Sequence, residues 1–174
     1  MENMDYQSVE EQLDERVIEI ARVSKTVKGG RRARYRVTVV VGDNNGKIGL
    51  GIGKANVVPD AMRKASEAAH RNMKAVNLYK STIPHEVTGR CAGAVVVMRP
   101  ASEGTGVIAG GGVRAVLEVA GVRDILTKSM GSANLLNVVK AAFDAIDQLK
   151  SADEEAALRG KSADELLPFW DRRK

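Results

Sequence analysis

From Arg16 the chain alternates, with Val17, Glu19, Ala21 and Val23 on one side and Ile18, Ile20, Arg22 and Ser24 on the other. A period of two sends successive side chains to opposite faces of an extended chain, so this stretch predicts a strand. Lys28-Gly29-Gly30-Arg31 predicts a flexible turn, because paired glycines reach positive φ without steric cost. Tyr35 to Val41 is rich in β-branched residues and predicts the return strand. Gly42-Asp43-Asn44-Asn45-Gly46 reads as a second tight turn, and Lys47 to Lys54, with glycine at 49, 51 and 53, as a third strand.

The period then changes. Pro59 suits a first helical position, and Asp60 suits the positive end of a helix dipole. Met62, Ala65, Ala69, Met73 and Val76 recur at steps of three and four and predict a buried stripe. Arg63, Lys64, His70, Arg71 and Lys74 lie largely off it. The first unit is thus three strands and a helix, closing near Asn77.

Tyr79 to Pro84 reads as a connector. Glu86 to Arg90 and Ala94 to Arg99 predict a second hairpin hinged at Ala92-Gly93. Pro100 to Gly112 is a glycine-rich loop leading to a short helix over Val113 to Ala120. Val122 to Ser129 predicts a strand. Asn134 to Lys150 predicts a helix, with Leu135, Val138, Val139, Ala142, Phe143, Ile146 and Leu149 on one side. Ser151 to Leu167 is low in apolar content and predicts one short helix around Ala163 to Leu167. The economical reading is α+β, two small units joined near residue 78. The expected spans are an acidic flexible start over 1–15, a first domain over 16–78, a second over 79–150, and a tail over 151–174. The break at Asn77 to Pro84 predicts a separate core for each unit.

Composition sharpens this. The chain is 44% apolar but only 3% aromatic, so its cores must be built from Val, Ile, Leu, Ala and Met. No apolar run approaches the ~20 residues of a membrane span. Met1 to Glu15 is acidic and lacks the apolar stretch of a secretory signal and the arginines of a transit peptide. Cys91 has no partner for an intrachain disulfide, which fits a reducing cytoplasm.

The net charge of +5 is unevenly spread. Residues 1–15 carry −6 and residues 151–174 carry −1, which leaves +12 on residues 16–150. Arg16 to Arg36 holds eight bases against the single acid Glu19. A basic body between acidic ends points to a polyanionic partner.

Catalytic chemistry finds no footing. The two histidines, His70 and His85, and the one cysteine have no metal-ligand spacing, and carboxylate pairs occur only in the tails. His70 sits among bases on a helix and suits a solvated or phosphate-facing role. Gly53-Lys54-Ala55 resembles the end of a Walker loop, but Ile48 stands where the first glycine belongs and Ala55 where Ser or Thr belongs. Gly160-Lys161-Ser162 fails too, with Glu155 in the glycine position. Gly104-Thr105-Gly106-Val107-Ile108-Ala109-Gly110 is a dinucleotide-type run between a strand and a helix, with Asp124 about 20 residues on, where a ribose-binding acid would stand. Against it, the helix is short for a crossover and the preceding elements are antiparallel by pattern.

Gly49, Gly51 and Gly53 share one face of their strand and suit close packing on the following helix, with Lys54 as a phosphate contact and Arg63-Lys64 adding charge near the helix start. Ser24-Lys25-Thr26-Val27-Lys28-Gly29-Gly30-Arg31-Arg32 is the best functional candidate. A merely solvated turn explains its glycines but not the crowding of like charge, which a polyanion would relieve.

These residues carry a resemblance. Arg22 to Gly30, the Gly42 to Lys54 stretch, Pro100 to Gly121 and Arg159-Gly160-Lys161-Ser162 resemble the bacterial small-subunit ribosomal protein S-five family, over about residues 13–167. The resemblance implies an N-terminal domain similar to a double-stranded-RNA-binding fold, here β-β-β-α without the usual first helix, followed by a βαβ-type two-layer domain. It implies binding to small-subunit rRNA where head meets body, ribosomal proteins four and eight as neighbours, a lining role on the mRNA entry path, and a part in decoding accuracy. It places Ser24 to Gly30 near the spectinomycin site. With the charge and spacing read above, the expected rRNA contacts are Arg22, Ser24, Lys25, Thr26, Lys28, Gly29, Gly30, Arg31, Arg32, Lys54, Arg63 and Lys64. The loop around Glu103, Gly104, Gly106 and Arg114 is implied to face protein four as a tight interface. No cofactor, metal, membrane or small-molecule substrate is implied. Asn44 stands where the family commonly has glycine, and the acidic start and the Pro168 to Lys174 end are not family signatures. A nucleotide-dependent enzyme using Gly104 to Gly110 remains the alternative reading; equilibrium binding of labelled nucleotide against labelled rRNA separates the two.

Overall fold

The computed structural model describes residues 13–166 together with 168, 170 and 171. Strands β1 (Asp14–Val27), β2 (Gly30–Gly42) and β3 (Lys47–Ala55) form an antiparallel meander, and helix α1 (Val58–Arg71) follows. A short strand β4 (Lys74–Ala75) returns to pair with β3, so the sheet order is β1-β2-β3-β4. The first hairpin is longer and tighter than expected. Lys28 and Gly29 alone make the turn, Val27 already pairs with Gly30, and Gly29 takes φ 91 where a side chain would be strained. The strand also starts earlier, at Asp14, and most of the acidic start, residues 1–12, lies outside the described residues.

Helix α1 has Pro59 in its first turn beside Asp60, but it ends at Arg71 rather than near Asn77, because the chain turns back into β4. Its buried stripe is Ala61, Ala65 and Ala69. Met62, expected in the stripe, is 36% exposed. The reason lies in β3. A Cβ added at Gly49, Gly51 or Gly53 would meet the carbonyl oxygens of Ala69, Ala65 and Ala61 at 2.2, 1.9 and 2.0 Å. The helix therefore lies almost backbone-to-backbone on the strand, and only methyl-sized side chains fit the seam.

The inner part of the first sheet is covered on both faces. Val37, Val39 and Val41 pack against the alanines of α1. Val40 and Ile48, on the other face, join a cluster whose remaining buried members run from Ile83 to Leu149. The expected separation into two cores is overturned, because β2 alternates its valines between two helical layers. The turn between β2 and β3 completes the joint. Asn44 N donates to the Val119 carbonyl and Gly46 N to that of Ala120, both at 3.1 Å. A Cβ on Gly42 would meet Val119 O at 2.4 Å, and one on Gly121 would meet Asn44 O at 2.2 Å. Asn44 holds φ 56, a left-handed conformation that asparagine tolerates better than most residues.

The second sheet contains β5 (Val87–Cys91), β6 (Ala94–Pro100), β7 (Val107–Ile108) and β8 (Ile125–Gly131), in the order β5-β6-β8-β7. The β5–β6 hairpin turns at Ala92-Gly93 as expected. Strand β7 was hidden inside the glycine-rich run. It pairs parallel to β8 across helix α2 (Gly111–Val119), which makes a compact βαβ unit. Strand β8 opens at Ile125, later than expected, because Arg123 N and Asp124 N both donate to the Ser81 carbonyl at 2.8 and 3.0 Å. Helix α3 (Leu135–Asp147), capped by the Asn134 side chain, lies with α2 on one side of the sheet. Helix α4 (Ala152–Arg159) arises where little apolar content suggested none, anchored through the buried Ala156, and α5 (Ala163–Leu166) falls where a short helix was expected. The architecture is α+β, a β-rich unit followed by a second sheet under two helices.

Gly51→Ala is expected to destabilise the protein by about 3 kcal/mol through overpacking against the Ala65 carbonyl. Gly110→Ala, at φ −66 with nothing within 4 Å of the added carbon, is expected to change stability by less than about 0.5 kcal/mol. Urea unfolding of both variants checks the contrast.

Candidate nucleic-acid interface

The outer half of the β1–β2 hairpin has no core to fill. From Arg22 to Lys28, and again from Gly30 to Arg34, almost every residue is exposed, with Val23, Val27 and Ala33 only half-buried. Register explains how the bases are distributed. Paired residues share a face, so Arg22, Ser24, Thr26 and Arg31 lie on the side of Val37 and α1. Lys25 and Arg32 lie on the opposite side, and Lys54 joins them through its pairing with Arg36. Lys28, Gly29 and Gly30 form the tip. Among the described residues, no ion pair reaches Arg22, Lys25, Lys28, Arg31, Arg32, Arg34 or Lys54.

The bases nearer the core are answered. Arg16 is paired with both Asp14 and Glu118, and Arg36 Nη2 lies 3.3 Å from Glu19 Oε2. Arg63 and Lys64, expected with the hairpin, are exposed on α1, where Arg63 lies 3.9 Å from Glu67. His70 is engaged within the fold, its Nε2 2.7 Å from Glu15 Oε1. The Ser66 hydroxyl donates to the same oxygen at 2.7 Å, and this bond, with help from His70, lowers the Glu15 pKa against the opposing effect of burial. Arg34 and Arg36 are not among the expected contacts. Their signal was the alternation Arg32, Arg34, Arg36, which puts all three on one face.

The glycine-rich loop has its own anion. Asp124 is 4% exposed, accepts the Ser81 hydroxyl at 2.6 Å, and accepts Gly106 N–H at 2.9 Å. Hydrogen bonding from Ser81 first, then from the backbone of Gly106, Gly104 and Thr105, holds its carboxyl below the ordinary range. Gly106 (φ 78) thus aims its N–H group inward at a side chain of the same chain, as phosphate loops aim theirs at a ligand. A nucleotide phosphate would have to displace that carboxylate. Outward, a Cβ on Gly104 or Gly106 meets nothing within 4 Å, and Glu103 is exposed beside them. Arg114 folds back, its Nη2 donating to the Val107 carbonyl at 2.9 Å. The residues expected at a protein interface therefore do gather around one loop, and Asp124 organises it.

The chain end joins this neighbourhood. Asp171 accepts the Tyr79 hydroxyl at 2.9 Å and Lys80 Nζ at 2.7 Å, while Trp170 borders a cleft of about 230 Å³ shared with Ser81, Thr82 and Glu103. No cluster of metal-ligating side chains occurs among the described residues, and no helix there is long and apolar enough to cross a membrane.

A carboxyl whose folded-state pKa is depressed adds stability at and above the ordinary carboxylate range, and loses it as pH falls through the folded value. Asp124→Asn is therefore expected to lower Tm by several degrees at neutral pH and to converge with the parent protein as pH falls below the carboxylate range. Melting curves across pH check this; a constant gap at every pH would show that the charge on Asp124 does not matter.

Two family models divide the chain in the same way as the fold. Residues 13–77 match Ribosomal protein S5, N-terminal domain, and residues 89–159 match Ribosomal protein S5, C-terminal domain. The first match covers the meander, α1 and β4, and the second runs from within β5 to the end of α4. Together they remove the nucleotide-dependent enzyme reading. The chain belongs to the ribosomal protein S5 family, as a non-enzymatic component of the small ribosomal subunit that binds rRNA in the cytoplasm.

Proposed function

We propose that the β1–β2 hairpin is the principal rRNA contact, helping to hold head against body of the small subunit near the mRNA entry path. The observation that carries this is the run of exposed bases, without acidic partners among the described residues, from Arg22 to Arg34. Charge divides the labour as well. Arg16 to Lys74 holds fourteen bases and four acids, whereas Lys80 to Lys150 holds eight and six. RNA affinity therefore resides mostly in the first unit. The second supplies protein contacts, with ribosomal proteins four and eight as the neighbours, and the loop at Glu103, Gly104, Gly106 and Arg114 faces protein four. Through that interface the protein contributes to decoding accuracy. The division is best tested in the intact chain, because an isolated first unit would expose Val40 and Ile48.

Replacing Lys25, Lys28, Arg31 and Arg32 by Ala is expected to weaken binding to small-subunit rRNA and flatten its salt dependence. Each lost phosphate contact removes about 0.7 to 0.9 from the log–log slope. Thermal stability changes little, because exposed charges contribute little to it. A salt slope equal to that of the parent protein would sink the assignment.

Gly106→Arg places a long side chain, at positive φ, on the outward side of the interface loop. A folded protein, destabilised by about 1 to 3 kcal/mol through the strained φ, with altered stop-codon read-through in a reporter is the expected outcome. Unchanged read-through with the protein incorporated into subunits would refute the interface role.

A further inference from the structure

Beyond the cover of α2, the second face of the first sheet carries its cations unevenly. Lys25 stands opposite Arg32, Val23 opposite Arg34, Ala21 opposite Arg36, and Arg36 in turn opposite Lys54. Cross-strand partners share a face, so all five cations project from the side that buries Val40 and Ile48 at its other end. Over the same length the α1 side carries only Arg22 and Arg31, with Ser24 and Thr26 between them.

Same-face neighbours along a strand are about 6.6 Å apart and cross-strand pairs about 5 Å. The five cations therefore form a compact grid, stepped at a distance comparable to that between neighbouring phosphates of one RNA strand. Like charges directly opposite destabilise a sheet, and Lys25 and Arg32 are such a pair. Among the described residues, only Glu19 answers the grid, through Arg36. At its inner edge, Arg36 Nε and Thr38 Oγ1 are buried without a hydrogen-bond partner among the described residues. Val23 and Val27 are half-buried on this same face, offering apolar surface on which long cationic stems can lie with their heads outward.

We infer that this grid, on the sheet face turned away from α1, takes the phosphate backbone of the rRNA, and that the α1 face of the same hairpin takes the smaller share. Guanidinium forks at Arg32 and Arg34 suit paired phosphate oxygens. The inference rests on the hairpin as the rRNA contact and adds which side of it binds.

The test compares two variants of equal charge. Arg32→Gln with Arg34→Gln alters the grid; Arg22→Gln with Arg31→Gln alters the other face. All four arginines are exposed, and a shared Tm confirms that both variants fold. Binding of the full chain to in vitro transcribed bacterial small-subunit rRNA is measured across a salt series. The grid variant is expected to lose about ten-fold more affinity than the other, with about 0.7 to 0.9 of salt slope lost per residue. Equal losses, or a larger loss from Arg22 and Arg31, overturn the inference and leave the hairpin as the rRNA contact. No loss from either pair removes both.

Discussion

The inner half of strand β2, from Val37 to Gly42, is buried on both faces, and the molecule is arranged around that double burial. Val37, Val39 and Val41 point into α1, while Val40 points into the cluster beneath α2, and all four are at most 1% exposed. Each such burial is worth on the order of 1.5 to 3 kcal/mol. A strand covered on both sides loses its polar alternation and reads as a nearly continuous apolar run, as Val-Thr-Val-Val-Val does here. The consequence is mechanical. The meander cannot move against the second unit without uncovering Val40 and Ile48 and breaking the Asn44 and Gly46 hydrogen bonds to the end of α2.

Close approach is the second organising device. The glycines of β3 meet the alanines of α1, and Gly89 of β5 would place a Cβ 2.0 Å from Ala141 O of α3. The same strand-glycine to helix-alanine seam therefore appears in both units. With few aromatics available, the fold brings backbones together instead of filling space with rings. The glycine-rich loop after β6 uses glycine differently, to turn N–H groups toward Asp124. That is why its sequence imitates a nucleotide loop while its anion is internal.

The hairpins were legible in the sequence, because alternation and turn residues are local signals. Strand β7 was not, since two residues inside a glycine-rich run carry no period. The α1 stripe was right at Ala65 and Ala69 but wrong at its first member, because hydropathy ranks Met62 above Ala61, whereas seam width decides in favour of the smaller residue. The shared core was invisible for a related reason: within a continuous valine run no residue declares its face. The candidate site was legible as charge but not as geometry. Lys25 and Thr26 are neighbours in sequence and sit on opposite sides of the sheet, which only the register can reveal.

Along β1 and β2 the ionic pairing falls off with distance from the core. Arg16 is met by Asp14 and Glu118, Arg36 by Glu19 alone, and Arg34, Arg32 and Lys25 by no acid among the described residues. At the inner end the arginines are part-buried, where an unpaired charge would be costly to leave unanswered. At the outer end water and salt screen the crowding, so the folded state tolerates it cheaply. The gradient separates two electrostatic tasks along one pair of strands: inner arginines are neutralised by the fold, and outer ones keep charge in reserve for an external polyanion. A hairpin held in place by its buried half can project that charge without needing it for stability, which lets the binding surface and the core answer to separate constraints.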